Sequence, residues 1–308
     1  MQNATSFHGD AFLFGVRILF EAADRAILDA ACSLYAKHGT TCPTGEAAVR
    51  VKLAWHDGTS EFPEKNRNDS FDAQMHIMRD GAVIHADGAA GAGRCLLPRD
   101  LQDAGKIADL IHTVVCFLVA HAGRIPLHAS AVMLGETAII LAGKSGSGKS
   151  SLALKANQMG LSVLSDDTVY VQTEPQLRIW AAPAAIHVFD KDAPDDGDHV
   201  MRLRGGRWKR AIAIRTPRHF ADCGMLFVLS RGARAGVQVL DTEEAVAALT
   251  GAPEPGYEFY GPRSATAVRA VAASGCYRLT LSDDPIKGLG ALLDRFGSTA
   301  PVQKRIRA

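Results

Sequence analysis

The stretch "GKSGSGKSS", residues 143–151, follows the apolar run "AIILA" and packs three glycines, two lysines and four serines into nine positions. Side-chain bulk is given up just where a core strand should hand over to a core helix. Gly143, Gly146 and Gly148 with Lys149 and Ser150 fit the pattern G-x-x-x-x-G-K-[ST], whose glycines let backbone N–H groups approach phosphates. In that pattern Lys149 reaches the β- and γ-phosphates, and Ser150 holds a magnesium ion. The whole run, Gly143, Lys144, Ser145, Gly146, Ser147, Gly148, Lys149, Ser150 and Ser151, is therefore a candidate nucleotide-binding segment, with ATP and Mg2+ as the implied ligands. A flexible Gly/Ser connector would not explain a strand pattern before it and a helix pattern after it.

Upstream, "IPLHASAVML" and "TAIILAG" flank Gly135-Glu136 and read as a β-hairpin. If residues pair symmetrically across that turn, partner numbers sum to about 271, and His128 stands opposite Gly143. A histidine distant in sequence is thus placed beside the first glycine of the loop, able to donate to a phosphate or to neighbour an acid. Downstream, "SSLALKANQMG" predicts a short helix ending at Gly160, and "LSVLS" a buried strand running into Asp166-Asp167. Strand, loop, helix and strand make one right-handed βαβ unit with its two strands parallel in one sheet. Their carboxyl ends then share a sheet edge, so the aspartates face the loop. One carboxylate can bind magnesium and the other can accept the proton of an attacking hydroxyl.

The 308 residues predict roughly two domains. With net charge +1 and a pI near 7.7 there is no imbalance of the kind that draws a polyanion, so no nucleic-acid partner is expected. The six cysteines, at 32, 43, 95, 116, 223 and 276, form no C-x-x-C pair and no metal-site spacing, and read as buried thiols in a reducing compartment. The first twenty residues have no positive charge ahead of their apolar stretch, unlike a secretory signal. The apolar run "LIHTVVCFLVAHAG" from 110 is too short to span a bilayer and contains two histidines. A cytoplasmic protein with no membrane partner is expected.

Residues 1–100 alternate short β-like runs with polar breaks, around one helical candidate near 21–33, and predict a small β-rich domain. The polar break at 56–69 reads as a loop. Over 101–123 the apolar positions Ile107, Leu110, Ile111, Val114, Val115, Phe117 and Leu118 form a helical stripe ending in Gly123, a helix able to link two halves. His112 and His121 on it read as packing or surface histidines. Residues 124–308 carry the loop and further β-like runs, with helices near 242–250 and 285–296. An acidic stretch at 190–198, in which Asp190 or Asp192 could add a metal ligand, precedes a basic one at 202–219. Arg202, Arg204, Arg207, Lys209, Arg210, Arg215 and Arg218 are either a solvated face or a group that stabilises a transferring phosphoryl or an acidic peptide.

The series "H-A-S-A-V", "G-K-S-G-S-G-K-S" and "L-S-D-D" over residues 124–171 resembles the HPr kinase/phosphorylase family, bacterial serine kinases related in fold to phosphoenolpyruvate carboxykinase. The resemblance implies an α/β P-loop domain of the HPr kinase type behind the β-rich one. Asp167 is its implied proton acceptor, with His128 and Lys149 on the phosphate side and Ser150 with Asp166 on magnesium. The chain departs from that family in lacking an E-R-G-L-G-type signature; Asp192 stands at the corresponding separation from Lys149. Neither the phosphorylase direction nor HPr as substrate is therefore implied. The sequence looks closest to the HPr-kinase-like lasso peptide precursor kinases, which phosphorylate a C-terminal serine. The expected activity is ATP-dependent transfer of a γ-phosphoryl group to a serine hydroxyl of a peptide or protein. The alternatives are a small-molecule kinase acting on free serine or a similar metabolite, an HPr-type protein serine kinase, and a nucleotide-binding regulator. The hexamers of the family imply a homo-oligomer.

Overall fold

The computed structural model describes residues 6–36, 48–57, 67–71, 73–182, 185–189, 200–204, 207–251, 257 and 260–297. They fall into two compact units, divided between Arg124 and Ile125.

The first unit holds β1 (Phe7–Leu13), β2 (Val16–Ala22), α1 (Arg25–Tyr35), β3 (Ala48–His56), β4 (Arg67–Phe71), β5 (Gln74–Arg79), β6 (Ala82–Asp87), β7 (Ala92–Pro98) and α2 (Ala104–His121). The sheet order is β1-β2-β3-β7-β6-β5-β4. The run "FLFGVRILF" is not one strand, because Phe14 and Gly15 both take positive φ and turn it into the β1–β2 hairpin. After that hairpin, α1 crosses over so that β2 and β3 run parallel, as do β3 and β7. Strict alternation sends Val16, Ile18 and Phe20 of β2, and Val49, Val51 and Leu53 of β3, to the covered face. Arg17, Arg50 and Lys52 take the open one.

The helix expected as a link is part of this unit's core. Its apolar stripe is broad enough to cover β3, β6 and β7, burying Leu110, Ile111, Val114, Val115 and Leu118. At 18 residues α2 is also longer than the apolar run from 110, and by length and composition alone it could cross a membrane. Gly93 of β7 lets it sit close, since a Cβ there would stand 2.6 Å from Val114 Cγ2 and 3.2 Å from Leu118 Cδ1. Gly93→Val should therefore force α2 away from the sheet and cost about 1–3 kcal/mol. Urea unfolding should show a lower midpoint at an unchanged slope. Of the break expected at 56–69, residues 58–66 lie outside the described residues, and the last three belong to β4.

The second unit holds β8 (Ile125–Leu134), β9 (Thr137–Ala142), α3 (Lys149–Gln158), β10 (Val163–Ser165), β11 (Thr168–Gln172), β12 (Arg178–Trp180), β13 (Ala185–Val188), β14 (Val200–Arg204) and β15 (Arg207–Ala213). These are followed by β16 (Phe220–Ala221), β17 (Gly224–Arg231), β18 (Gly236–Val239), α4 (Thr242–Thr250), α5 (Gly261–Ala272), β19 (Cys276–Leu281) and α6 (Pro285–Phe296). The main sheet runs β16-β12-β11-β8-β9-β17-β19-β18, with β10 also paired to β8, and β13-β15-β14 form a small second sheet. One face of the main sheet buries Leu127, Ala129, Ile140 and Leu226 with Val268 and Val271 of α5 and Val246 of α4. The other buries Val132, Ile139, Leu141 and Phe227 with Leu152 of α3 and Leu289 of α6. The unit is thus a mixed α/β sandwich of the layered kind.

The β8–β9 hairpin has the register that symmetric pairing requires, from Leu134↔Thr137 to Ala129↔Ala142, each pair summing to 271. His128 is the next residue of β8 and Gly143 the next after β9. The two strands of the βαβ unit are parallel, as expected, yet not adjacent. Both β9 and β10 run antiparallel to β8, which lies between them. The β8 strand, buried along nearly its whole length, is the sheet's central member and leaves no room for direct β9–β10 pairing.

Candidate phosphate-loop site

The loop leaves β9 at Ala142 and enters α3 at Lys149. Gly143, Gly146 and Gly148 take φ of 150°, 79° and 110°, and Gly148 is the left-handed residue that opens the helix without any side-chain cap. A Cβ on Gly148 would stand 2.8 Å from Leu281 Cδ1. With no side-chain cap and no acidic residue in its first turn, the start of α3 suits an external anionic acceptor. Ser147 N donates to Lys144 O at 3.1 Å and tightens the loop. The Ser147 hydroxyl is buried without a hydrogen-bond partner among the described residues. Lys144, Ser145 and Gly146 form the exposed tip, and Ser151 is half-buried on α3. Lys149 is 6% exposed and folds back into the loop, where Nζ donates to Gly143 O at 2.7 Å and Lys144 O at 3.2 Å. A triphosphate offers charged acceptors stronger than those carbonyls.

The aspartates occupy the step between β10 and β11, where pairing to β8 lapses between Ser165↔Ala131 and Thr168↔His128. Two serines hold that step. Ser165 Oγ accepts from the N–H groups of Asp167 and Thr168, and Ser130 Oγ donates to Asp166 O. The two carboxylates then part company. Asp167 has 74% of its side chain exposed and lies 3.5 Å from His128 Nδ1, Oδ1 to ring nitrogen. Asp166 has only 4% exposed; its Oδ2 accepts from His187 N at 2.8 Å and lies 3.8 Å from His187 Nδ1. Burial pushes Asp166 up to about 6 from an ordinary 3.8, against the His187 N–H and the Ser150 hydroxyl, which favour the charged form. The Asp167 charge raises it further, and the Lys209 ammonium lowers it.

The structure thus brings the predicted residues together in two pairs, His128 with Asp167 and Ser150 with Asp166. The residues present suit a magnesium ion. Asp166 Oδ1 is buried with no hydrogen-bond partner among the described residues, and the Ser150 hydroxyl acts on the same carboxylate. Among the described residues no group of three or more His, Cys, Asp or Glu could hold a metal unaided. Magnesium does not require such a cage, because phosphate oxygens and water complete its shell.

Two arginines of the basic stretch have partners within this unit. Arg218 pairs with Glu136 at the β8–β9 turn, and Arg215 donates from its guanidinium to Gln158 O. Lys209 is the member that acts on Asp166, while its ammonium lies over the Phe189 ring. The side chains of Arg202, Arg204 and Arg207, and the acidic stretch with Asp190 and Asp192, lie outside the described residues.

No protein-family model matches the chain, and no curated protein matches it in sequence. Among solved structures it is similar to the Hpr(Ser) kinase/phosphatase from Coxiella burnetii, at 11% identity and a TM-score of 0.30, over 56% of this chain and 96% of that one. That likeness is too distant for chemistry to pass from one protein to the other.

Three residues join the site without having been singled out in the sequence. His187, on β13, braces Asp166 through its backbone N–H. The Tyr257 ring is tilted against that of His128, with centroids 5.4 Å apart, and its hydroxyl shares a hydrogen bond with Thr168 Oγ1, the residue paired with His128 across β8 and β11. Arg231 ends β17 and lies beside the loop, its Nη2 3.4 Å from where a Gly148 Cβ would be, while Nη1 donates to Ser282 O.

Proposed function

We propose that the second unit is a kinase that moves the γ-phosphoryl group of a nucleoside triphosphate, ATP in the first instance, to a serine hydroxyl of a peptide or protein. The observation that carries this reading is the His128–Asp167 pair, set by strand register beside a phosphate loop whose lysine already sits within it. In the proposed step the serine Oγ attacks the γ-phosphorus. A new P–O bond forms, the bridging bond to the β-phosphate breaks, and the nucleoside diphosphate leaves. The hydroxyl proton goes to the Asp167 carboxylate, which is exposed and so able to receive it. His128 orients Asp167 and offers a donor to the incoming phosphoryl oxygens. Lys149 and the N–H groups at the start of α3 bind the phosphates. Ser150 and Asp166 would hold magnesium, whose chemistry when bound is to neutralise phosphate charge.

The motif series that resembles the lasso precursor kinases points, as acceptor, to a serine at the C-terminus of such a precursor. The test is incubation with γ-labelled ATP, magnesium and a peptide ending in serine, beside the same peptide ending in alanine, HPr and free serine. Label in the serine-ended peptide alone is expected. Label in free serine would favour the metabolite kinase, and bound nucleotide without transfer would favour the regulator.

Arg231 is assigned to charge stabilisation on the transferring or leaving phosphate. Arg231→Ala should lower kcat by about 10²–10³-fold, the usual loss for one preorganised donor. Affinity for ATP should change much less, as single-turnover and equilibrium-binding measurements would show, and Arg231→Lys should recover part of the rate.

A further inference from the structure

A pocket opens beside the loop, walled by Pro126, Leu127, Leu249 and Val268, with Tyr257 and Ser264 as polar handles. His128, Gly143 and Lys144 lie on its loop side. Those last residues fix which end of the triphosphate the pocket meets. Lys149 Nζ is bonded to the carbonyls of Gly143 and Lys144, and the lysine of such a loop serves the β- and γ-phosphates. The pocket therefore lies at the γ end, on the same side as His128 and hence as Asp167, where an acceptor and not a nucleoside must stand.

Its chemistry then narrows the acceptor. Among the described lining residues the ionisable groups are His128 and Lys144, both on the phosphate side, and the Tyr257 phenol, and none of them is a carboxylate. Free serine carries an ammonium and a carboxylate within one or two bonds of the carbon that bears its hydroxymethyl group. Placing both against Leu249 and Val268 would strip their water and leave the ammonium no carboxylate among the described lining residues, with Asp167 beyond them taken up by His128 and the attacking hydroxyl. A serine at the C-terminus of a peptide carries a neutral amide in place of the ammonium, which Tyr257 and Ser264 can satisfy, and its carboxylate falls to Lys144.

We infer that this pocket takes an uncharged, apolar side chain next to the acceptor serine in a peptide, and thereby selects peptidyl over free serine. The inference rests on the kinase reading above. In the group transfer it adds no new step; it positions the attacking Oγ between the γ-phosphorus and Asp167.

The test uses the full-length protein with γ-labelled ATP and magnesium, and three acceptors: free L-serine, a peptide with leucine beside its serine, and the same peptide with aspartate in place of that leucine. The leucine peptide should exceed the aspartate peptide at least about tenfold in kcat/KM, the discrimination one buried apolar group provides, and free serine should take up no label. Ser264→Phe, which fills the half-buried mouth, should raise KM for the leucine peptide by a similar factor, while the affinity for a fluorescent ATP analogue stays within about twofold. Leu249→Ala, which enlarges the pocket, should shift preference toward a tryptophan-flanked serine and covers the case in which the first variant does not fold. Equal transfer to the leucine and aspartate peptides, or to free serine, overturns the pocket assignment and leaves the kinase standing. Nucleotide binding without transfer to any of the three overturns the kinase reading, and the pocket assignment with it.

Discussion

Asp167→Asn is expected to lower phosphoryl transfer by about 10²–10⁴-fold, the range for losing one positioned proton acceptor. The amide keeps the size and the polarity of the side chain but cannot take the proton of the attacking hydroxyl. Because Asp167 is largely exposed and its own backbone N–H is held by Ser165, the exchange should leave the fold and the binding of nucleotide intact. The loss should therefore appear in kcat and not in the dissociation constant for ATP measured without acceptor. His128→Asn would show a smaller version of the same pattern, since it acts through Asp167 and the phosphoryl oxygens. Full turnover by Asp167→Asn would remove Asp167 as the proton acceptor and leave a kinase that works without this base.

For Asp166→Asn two opposite effects are expected. Magnesium-dependent nucleotide binding should weaken at least about tenfold, which is the floor set by what even outer partners of a metal site contribute. The unliganded protein should become more stable. Holding the Asp166 carboxyl at about 6 instead of 3.8 costs the folded state about 3 kcal/mol once the group is ionised. The raised pKa means that the folded state binds the proton more tightly than the unfolded one. The cost is absent below about pH 4, grows as pH rises to about 6, and is complete above it. The gain in stability of Asp166→Asn over the parent should follow that course in thermal melts recorded between pH 4 and 7 without magnesium. A gain that is flat across the interval would show that burial of this carboxylate is not what strains the site.

Much of this site could be read from the chain because its parts are close in sequence or tied by a tight turn. The glycine spacing of 143–148 fixed the loop, the two-residue turn at Gly135-Glu136 fixed where His128 falls, and the strand end at Ser165 fixed the aspartates. What distinguishes Asp166 from Asp167 was not legible, because the burial of the first comes from β13, which arrives twenty residues later and belongs to a different sheet. Arg231 was hidden for a related reason. It reaches the loop only because β17 pairs in parallel with β9, Val228 opposite Ala142, and three more residues carry the chain to the guanidinium. A reader who had paired those two apolar strands would have found it. The α5 helix is not legible in the sequence because it opens with Gly261, Pro262 and Ser264, residues that signal a turn, whereas Pro at the first positions is also a common way to begin a helix. In the first unit, periodicity shows that α2 has an apolar stripe but not which strands it covers.

The β8–β9 hairpin works as a ruler. With only Gly135 and Glu136 at its bend, the position of His128 relative to Gly143 is set by counting paired residues and not by any flexible side chain. One residue more or fewer on either arm would slide the whole comb by a tooth and send His128 to the opposite side of the sheet. No insertion at that bend can be absorbed without moving the imidazole, so tolerance to a change of length there is decided by the geometry of a single turn.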